Sequence, residues 1–140
     1  MQKQIGFVFF FLLSAFTYAQ SENIIGTWLT QEKDAKVEIY KTDDVYYGKI
    51  VWLKEPNDPE TGKPQLDKEN PDEKKRSQPI LGSVMLWGFK YEDGEYTGGK
   101  VYDAREGNTY KGKMWFEDNS LKMRGYAFVF YRTETWTRVN

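Results

Sequence analysis

Any chemistry in this chain has to be done without histidine or cysteine, because its 140 residues contain neither. Ser-His-Asp and Cys-His arrangements are therefore closed to a single chain, as are zinc sites built on nitrogen or sulfur ligands. A disulfide framework is equally excluded. No glycine-rich phosphate-binding pattern occurs. Proton transfer would fall to carboxylates, with tyrosine or lysine in support. Asp103 is the best placed of them, at the end of an alternating segment and beside Tyr102. It reads either as an acid facing a pocket or as a turn residue ahead of Ala104–Gly107. The turn reading is favoured, since a carboxylate that accepts backbone N–H bonds is the ordinary role of Asp there.

A second concentration of oxygen atoms lies at Asp67, Glu69, Asn70 and Asp72. Calcium takes about six to eight oxygens, but Pro71 interrupts the run and the glycine of a calcium loop is missing. Lys68, Lys74, Lys75 and Arg76 also compete for the same carboxylates. No metal is expected, and no other cofactor is implied. Instead Asp67 and Asn70 should cap a turn or short helix beginning at Pro71, a favoured first helical position. Arg76 would then anchor the segment to the rest of the protein through a carboxylate. Tyr46, Trp52, Tyr102 and Tyr110 have the wall chemistry of a cavity for an amphipathic ligand, although the same residues would serve as packed core. Arg124 is expected to face outward or to pair across a sheet with an acid such as Glu134, with ligand binding the lesser reading.

The elements that must carry these groups are strands. Segments with strand character recur at Ile25–Gln31, Ala35–Lys41, Val45–Leu53, Val84–Tyr91, Glu95–Asp103, Asn108–Glu117, Ser120–Tyr126 and Arg132–Val139. Thr42-Asp43-Asp44, Glu92-Asp93-Gly94 and Asp118-Asn119 supply turn chemistry between them. Alternation puts Tyr46, Gly48, Ile50 and Trp52 on one face, and Tyr110, Gly112, Met114 and Phe116 on another. Residues 127–131 fit neither period cleanly. A long polar, proline-rich segment, 54–79, separates the third and fourth strands and is of the length usually used for lids or binding loops.

Eight strands joined mostly by short turns suit an all-β, antiparallel up-and-down barrel, with a sandwich of the same strands as the alternative. Gly26-x-Trp28 near the start and Trp136-x-Arg138 at the end point to closure. A tryptophan on the first and last strands, with an arginine to stack on it, would seal neighbouring strands and leave no free edge. Strands of an outer-membrane barrel need about 9–11 residues and an apolar outer face. Here Lys36, Glu38, Lys111 and Lys113 stand opposite the apolar face.

Residues 1–19 form a separate unit. Lys3 precedes an apolar run from Ile5 to Phe16, and Thr17-Tyr18-Ala19 places small residues ahead of a cut before Gln20. This is the pattern of a cleaved signal peptide. The apolar run is too short for a bilayer core of about 30 Å. The expectation is an exported protein, periplasmic or secreted, with residues 20–140 as a single domain and no membrane span. Lys and Arg number 20 against 21 Asp and Glu over the whole chain. That balance gives no general attraction for nucleic acid.

An ordered set of short motifs runs through the chain: Gly26-x-Trp28, Tyr47-Gly48-Lys49-Ile50-Val51, Leu66-Asp67-x-x-Asn70-Pro71-Asp72 and Arg76-x-x-Pro79-Ile80-Leu81-Gly82. They continue as Gly99-Lys100-Val101-Tyr102-Asp103, Gly107-Asn108-Thr109-Tyr110, Leu121-Lys122-Met123-Arg124-Gly125 and Glu134-Thr135-Trp136-Thr137-Arg138-Val139. Together they resemble the exported bacterial domain-of-unknown-function family 2147 (DUF2147). Ala104 departs from the pattern, where a proline is expected after the Tyr-Asp pair. The resemblance implies a calycin-type, lipocalin-like barrel and brings no established activity. Three functions are then open. The first is non-enzymatic binding of a small amphipathic molecule. The second is a filled barrel that contacts an envelope protein or glycan. The third, with the fewest residues behind it, is an enzyme using Asp67 or Asp103.

Overall fold

The computed structural model describes residues 22–140, so the expected signal peptide, residues 1–19, lies outside the described residues. Eight strands follow in chain order: β1 (Gly26–Leu29), β2 (Ala35–Thr42), β3 (Val45–Leu53), β4 (Val84–Glu92), β5 (Glu95–Asp103), β6 (Asn108–Glu117), β7 (Ser120–Ala127) and β8 (Phe130–Arg138). Each pairs antiparallel with the next and β8 returns to β1, giving a closed barrel rather than a sandwich. β1 is shorter than its apolar pattern because Thr30 turns the chain. Its hydroxyl donates to Asp34 (2.7 Å) and accepts from the Ala35 N–H (3.3 Å). The ambiguous stretch 127–131 belongs to the β7–β8 hairpin, where Ala127 pairs with Phe130 and Tyr126 with Tyr131.

The closing seam is short: Trp28 pairs with Arg138 and Leu29 with Thr137. Side chains reinforce it. Trp28 is fully buried, and its indole N–H donates to the Ile24 carbonyl (2.9 Å). The Arg138 guanidinium lies 4.3 Å from the Trp28 ring and donates to the carbonyls of Ile25 and Asn23. Gly26 has φ +139°, and a Cβ there would stand 2.8 Å from Arg138 Nη1. A left-handed backbone and a guanidinium in the way together call for glycine. Ile24, also buried, covers this end as a floor.

Next to the floor the barrel is solid. Leu86, Phe89, Tyr96, Met114 and Leu121 are buried to 1% exposure or less, each burial contributing about 1.5–3 kcal/mol. The Phe89 ring occupies space that two glycines leave. A Cβ on Gly99 would lie 2.3 Å from it and one on Gly112 2.8 Å. Tyr46 belongs to this packed half, its ring edge-on to Tyr96 at 5.0 Å.

Trp52 is not on the face expected for it. Val37 pairs with Ile50 but Lys36 with Trp52, so Val51 is an extra residue in β3. A bulge of one residue reverses the parity of everything beyond it. Trp52 therefore faces outward, 38% exposed, with Lys36 Nζ 4.9 Å from its ring. Elsewhere the outer face carries charge pairs such as Lys49–Glu38 (3.5 Å) and Lys113–Glu95 (3.3 Å). Among the described residues no helix is long and apolar enough to cross a membrane.

Residues 54–83 form the long connection between β3 and β4. Its three-residue 3₁₀ helix, Glu73–Lys75, starts two positions later than expected and is capped by Asp72, whose carboxylate accepts the Lys74 N–H (3.0 Å). Arg76 does not reach the barrel. Its Nε donates to the Asn70 carbonyl (2.7 Å), and its acid partner is Glu73 (3.8 Å), inside the same loop. The anchor is Asp67 instead, which is 8% exposed and accepts the Tyr102 hydroxyl from β5 at 2.6 Å. A second contact is backbone to backbone. The Glu69 carbonyl lies so close to Gly107 that a Cβ there would approach it to 1.9 Å.

Candidate functional site

The barrel is hollow at the end opposite its floor. A chamber of about 780 Å³ opens there between the β1–β2 turn, the long connection, the β5–β6 turn and the β7–β8 hairpin. Its inner wall is apolar, formed by Val37, Ile50, Met85, Val101, Met123 and Trp136. Ile80 and Gln65 bring the long connection over one side. Gly125 explains part of the void. It lines the chamber from β7, and a Cβ added to it would meet Tyr110 Cβ at an unstrained 3.6 Å. In the packed half glycines admit a ring, whereas here the space is left open.

Polar groups gather toward the mouth and are fewer along the inner wall. Glu134 pairs in register with Met123 and shares the inward face of β8 with Trp136. Its Oε2 accepts the Trp136 indole N–H (2.9 Å), and its Oε1 lies 3.6 Å from Arg132. Tyr102 and Tyr110 also line the chamber. Burial, and then donation to the Asp67 carboxylate, raises the Tyr102 hydroxyl above the usual tyrosine range. Donation to Glu106 (2.9 Å) raises that of Tyr110. Both therefore stay neutral donors.

At the mouth, charges alternate across three connections. Arg105 reaches Asp103 (3.2 Å) and Glu32 (3.1 Å), and Arg132 reaches Glu32 (3.2 Å) and Glu134 (3.6 Å). Asp103 is pulled in two directions. Burial alone would raise its pKa, but the Arg105 side chain and backbone N–H (2.9 Å) outweigh it and hold the carboxyl below the ordinary Asp value. Asp103 is thus both a turn residue and part of the chamber lining.

The sequence-selected residues separate accordingly. Tyr102, Asp103 and Tyr110 meet at the chamber. Asp67 stands behind Tyr102, holding its hydroxyl and the Asn70 side-chain amide (2.7 Å). Asn70 and Arg76 organise the loop, Tyr46 is packed near the floor, and Trp52 is outside. Arg124 also faces outward. It donates to Thr133 (2.7 Å) rather than to Glu134, with its guanidinium 4.1 Å from the Tyr131 ring and 4.9 Å from that of Trp115. Gly26, Trp28 and Arg138 form the seam, while Trp136 has a second face toward the chamber. Among the described residues no group of three or more acids is gathered as a metal would need. Sequence reasoning missed Glu134 as a lining group, yet its signal was present: it is two residues from Trp136, and period-two alternation puts both inside.

A closed eight-strand meander with a packed floor and an open hollow end defines a lipocalin-like barrel. The chain belongs to the family described as an uncharacterized protein conserved in bacteria (DUF2147), whose model matches residues 26–138. Among solved structures it is similar to one described as protein HP1028 from the human pathogen Helicobacter pylori, belonging to the lipocalin family. That likeness has 26% identity and a TM-score of 0.70, over 84% of this chain and 83% of that one. No curated protein matches the chain.

Proposed function

We propose that this protein is an exported binding protein that takes the apolar body of a small amphipathic molecule into its chamber and meets the polar end at the charged mouth. The observation that carries this reading is the 780 Å³ of open volume above a fully packed floor. Pockets of about 300–1,000 Å³ with apolar walls and few placed polar groups are the usual form of small-molecule sites. Glu134 and the Tyr110 hydroxyl supply those groups. Because Glu134 offers acceptor oxygens, a hydroxyl or amine on the ligand suits it best. The open volume counts against a filled barrel. Asp67 and Asp103, the acids considered for catalysis, are engaged by Tyr102 and Arg105, which favours binding over proton transfer. The lipocalin-like neighbour supports the same reading by analogy of architecture.

Gly125→Leu tests it, since the new side chain would enter the chamber without a backbone clash. The neutral amphipathic fluorophore N-phenyl-1-naphthylamine should bind the native protein saturably. The variant should bind it roughly tenfold more weakly or worse, a loss of about 1.4 kcal/mol, with an unchanged melting temperature. Equal affinity in the two proteins would put the probe elsewhere and defeat the proposal.

A further inference from the structure

The β7–β8 hairpin stands apart from every other tight turn of the barrel. The other two-residue hairpins turn on polar residues or glycine, at Asp43-Asp44, Asp93-Gly94 and Asp118-Asn119. This one turns on Phe128-Val129. Phe128 is 103% exposed, Val129 86%, Phe130 74% and Tyr131 61%. Phe128 also has φ +57°. A bulky residue in the left-handed region is uncommon and costs stability that Asn or Gly would not. Neither burial nor turn geometry explains an aromatic residue here.

The hairpin register arranges its side chains by depth. From the tip toward the barrel come Phe128 and Val129, then Ala127 opposite Phe130, then Tyr126 opposite Tyr131 with ring centroids 6.1 Å apart. Next come Arg132, opposite Gly125, and Arg124, opposite Thr133. Hydrocarbon, tyrosine and arginine thus follow one another over three or four residues, about 10–13 Å of strand. Lipid–water interfaces have the same order over a similar depth: acyl chains, an aromatic belt, then cations among the phosphates. A protruding wedge of this kind fits a soft bilayer surface better than a flat protein face.

We propose that the Ala127–Tyr131 tip is a membrane-docking wedge, which inserts Phe128, Val129 and Phe130 among the acyl chains of a phospholipid bilayer, with Tyr126, Tyr131, Arg124 and Arg132 at headgroup level. Ala127, Phe130 and Tyr131 also line the chamber, so docking turns its mouth toward the lipid. The contact does not depend on the chamber holding a ligand.

The test compares the protein with Phe128→Gly/Val129→Asn, a pair that relieves the positive φ and suits a tight hairpin. Flotation with vesicles of phosphatidylcholine and phosphatidylglycerol should carry the native protein upward. The double variant should partition at least tenfold less, while its melting temperature holds or rises and it still binds N-phenyl-1-naphthylamine. Gly125→Leu, which fills the chamber, should float like the native protein. Failure of the native protein to float, or equal flotation of the double variant, overturns the proposal. So does sedimentation showing a native dimer that the double variant abolishes, because the tip would then be covered by a second copy of the chain.

Discussion

Asp103 is pulled both ways by its surroundings, and the balance has a measurable consequence. Its folded pKa is depressed, so its contribution to stability is complete above the unfolded value of about 3.9 and is lost as pH falls through the lower, folded value. Asp103→Asn should therefore destabilise the protein by about 1 kcal/mol near neutral pH, a modest figure because Arg105 is largely exposed. The gap between the two proteins should close in urea melts as the pH falls below about 3.9. A gap that stayed constant through that range would mean the carboxylate's charge contributes nothing. The sequence made the turn role of this residue legible, because Asp before a turn has a local mechanism. Its partner Arg105 is only two positions away, but the link to Glu32 across the mouth is not encoded in any local pattern.

At the level of elements, the connection 54–83 is fastened at a point that neither periodicity nor composition could name. Asp67 reads in sequence as a turn former, yet its carboxylate also serves a tyrosine 35 residues away. Tyr102→Phe removes the donor and leaves a buried acceptor short of one bond, a loss of about 1–3 kcal/mol. Amide exchange should then quicken around residues 64–80 while the strands keep their protection. Unchanged exchange in that segment would show that the Glu69–Gly107 contact holds it alone. β3 gives a similar lesson. Its limits match its apolar pattern residue for residue, but one bulge at Val51 sends Trp52 out of the barrel. Alternation reports parity only while the ladder is regular, and a bulge has no reliable signature without the partner strand.

For the molecule as a whole, closure was readable and hollowness was not. Tryptophans on the first and last strands carry a direct packing argument, and they meet the rest of the core at the floor. Trp28→Ala should cost about 3–5 kcal/mol in a denaturant or thermal melt, as expected for a fully buried Trp whose loss opens a cavity beside the seam. A cost under 1 kcal/mol would separate the seam from global stability. The emptiness of the other end depends on what is missing from a wall, and Gly125 looks in sequence like Gly99 or Gly112. Only the three-dimensional neighbours distinguish a glycine that admits a ring from one that leaves a void.

The Arg138 bridge to Asn23 and Ile25 also determines where the molecule can be held. Residues 22–23 and 139–140 lie together at the floor end, opposite the chamber mouth and the Phe128 tip. A surface linker, fluorophore or fusion partner attached at either place grips the base like the stem of a cup. The rim stays free, so immobilised protein can meet small molecules and vesicles from the same side.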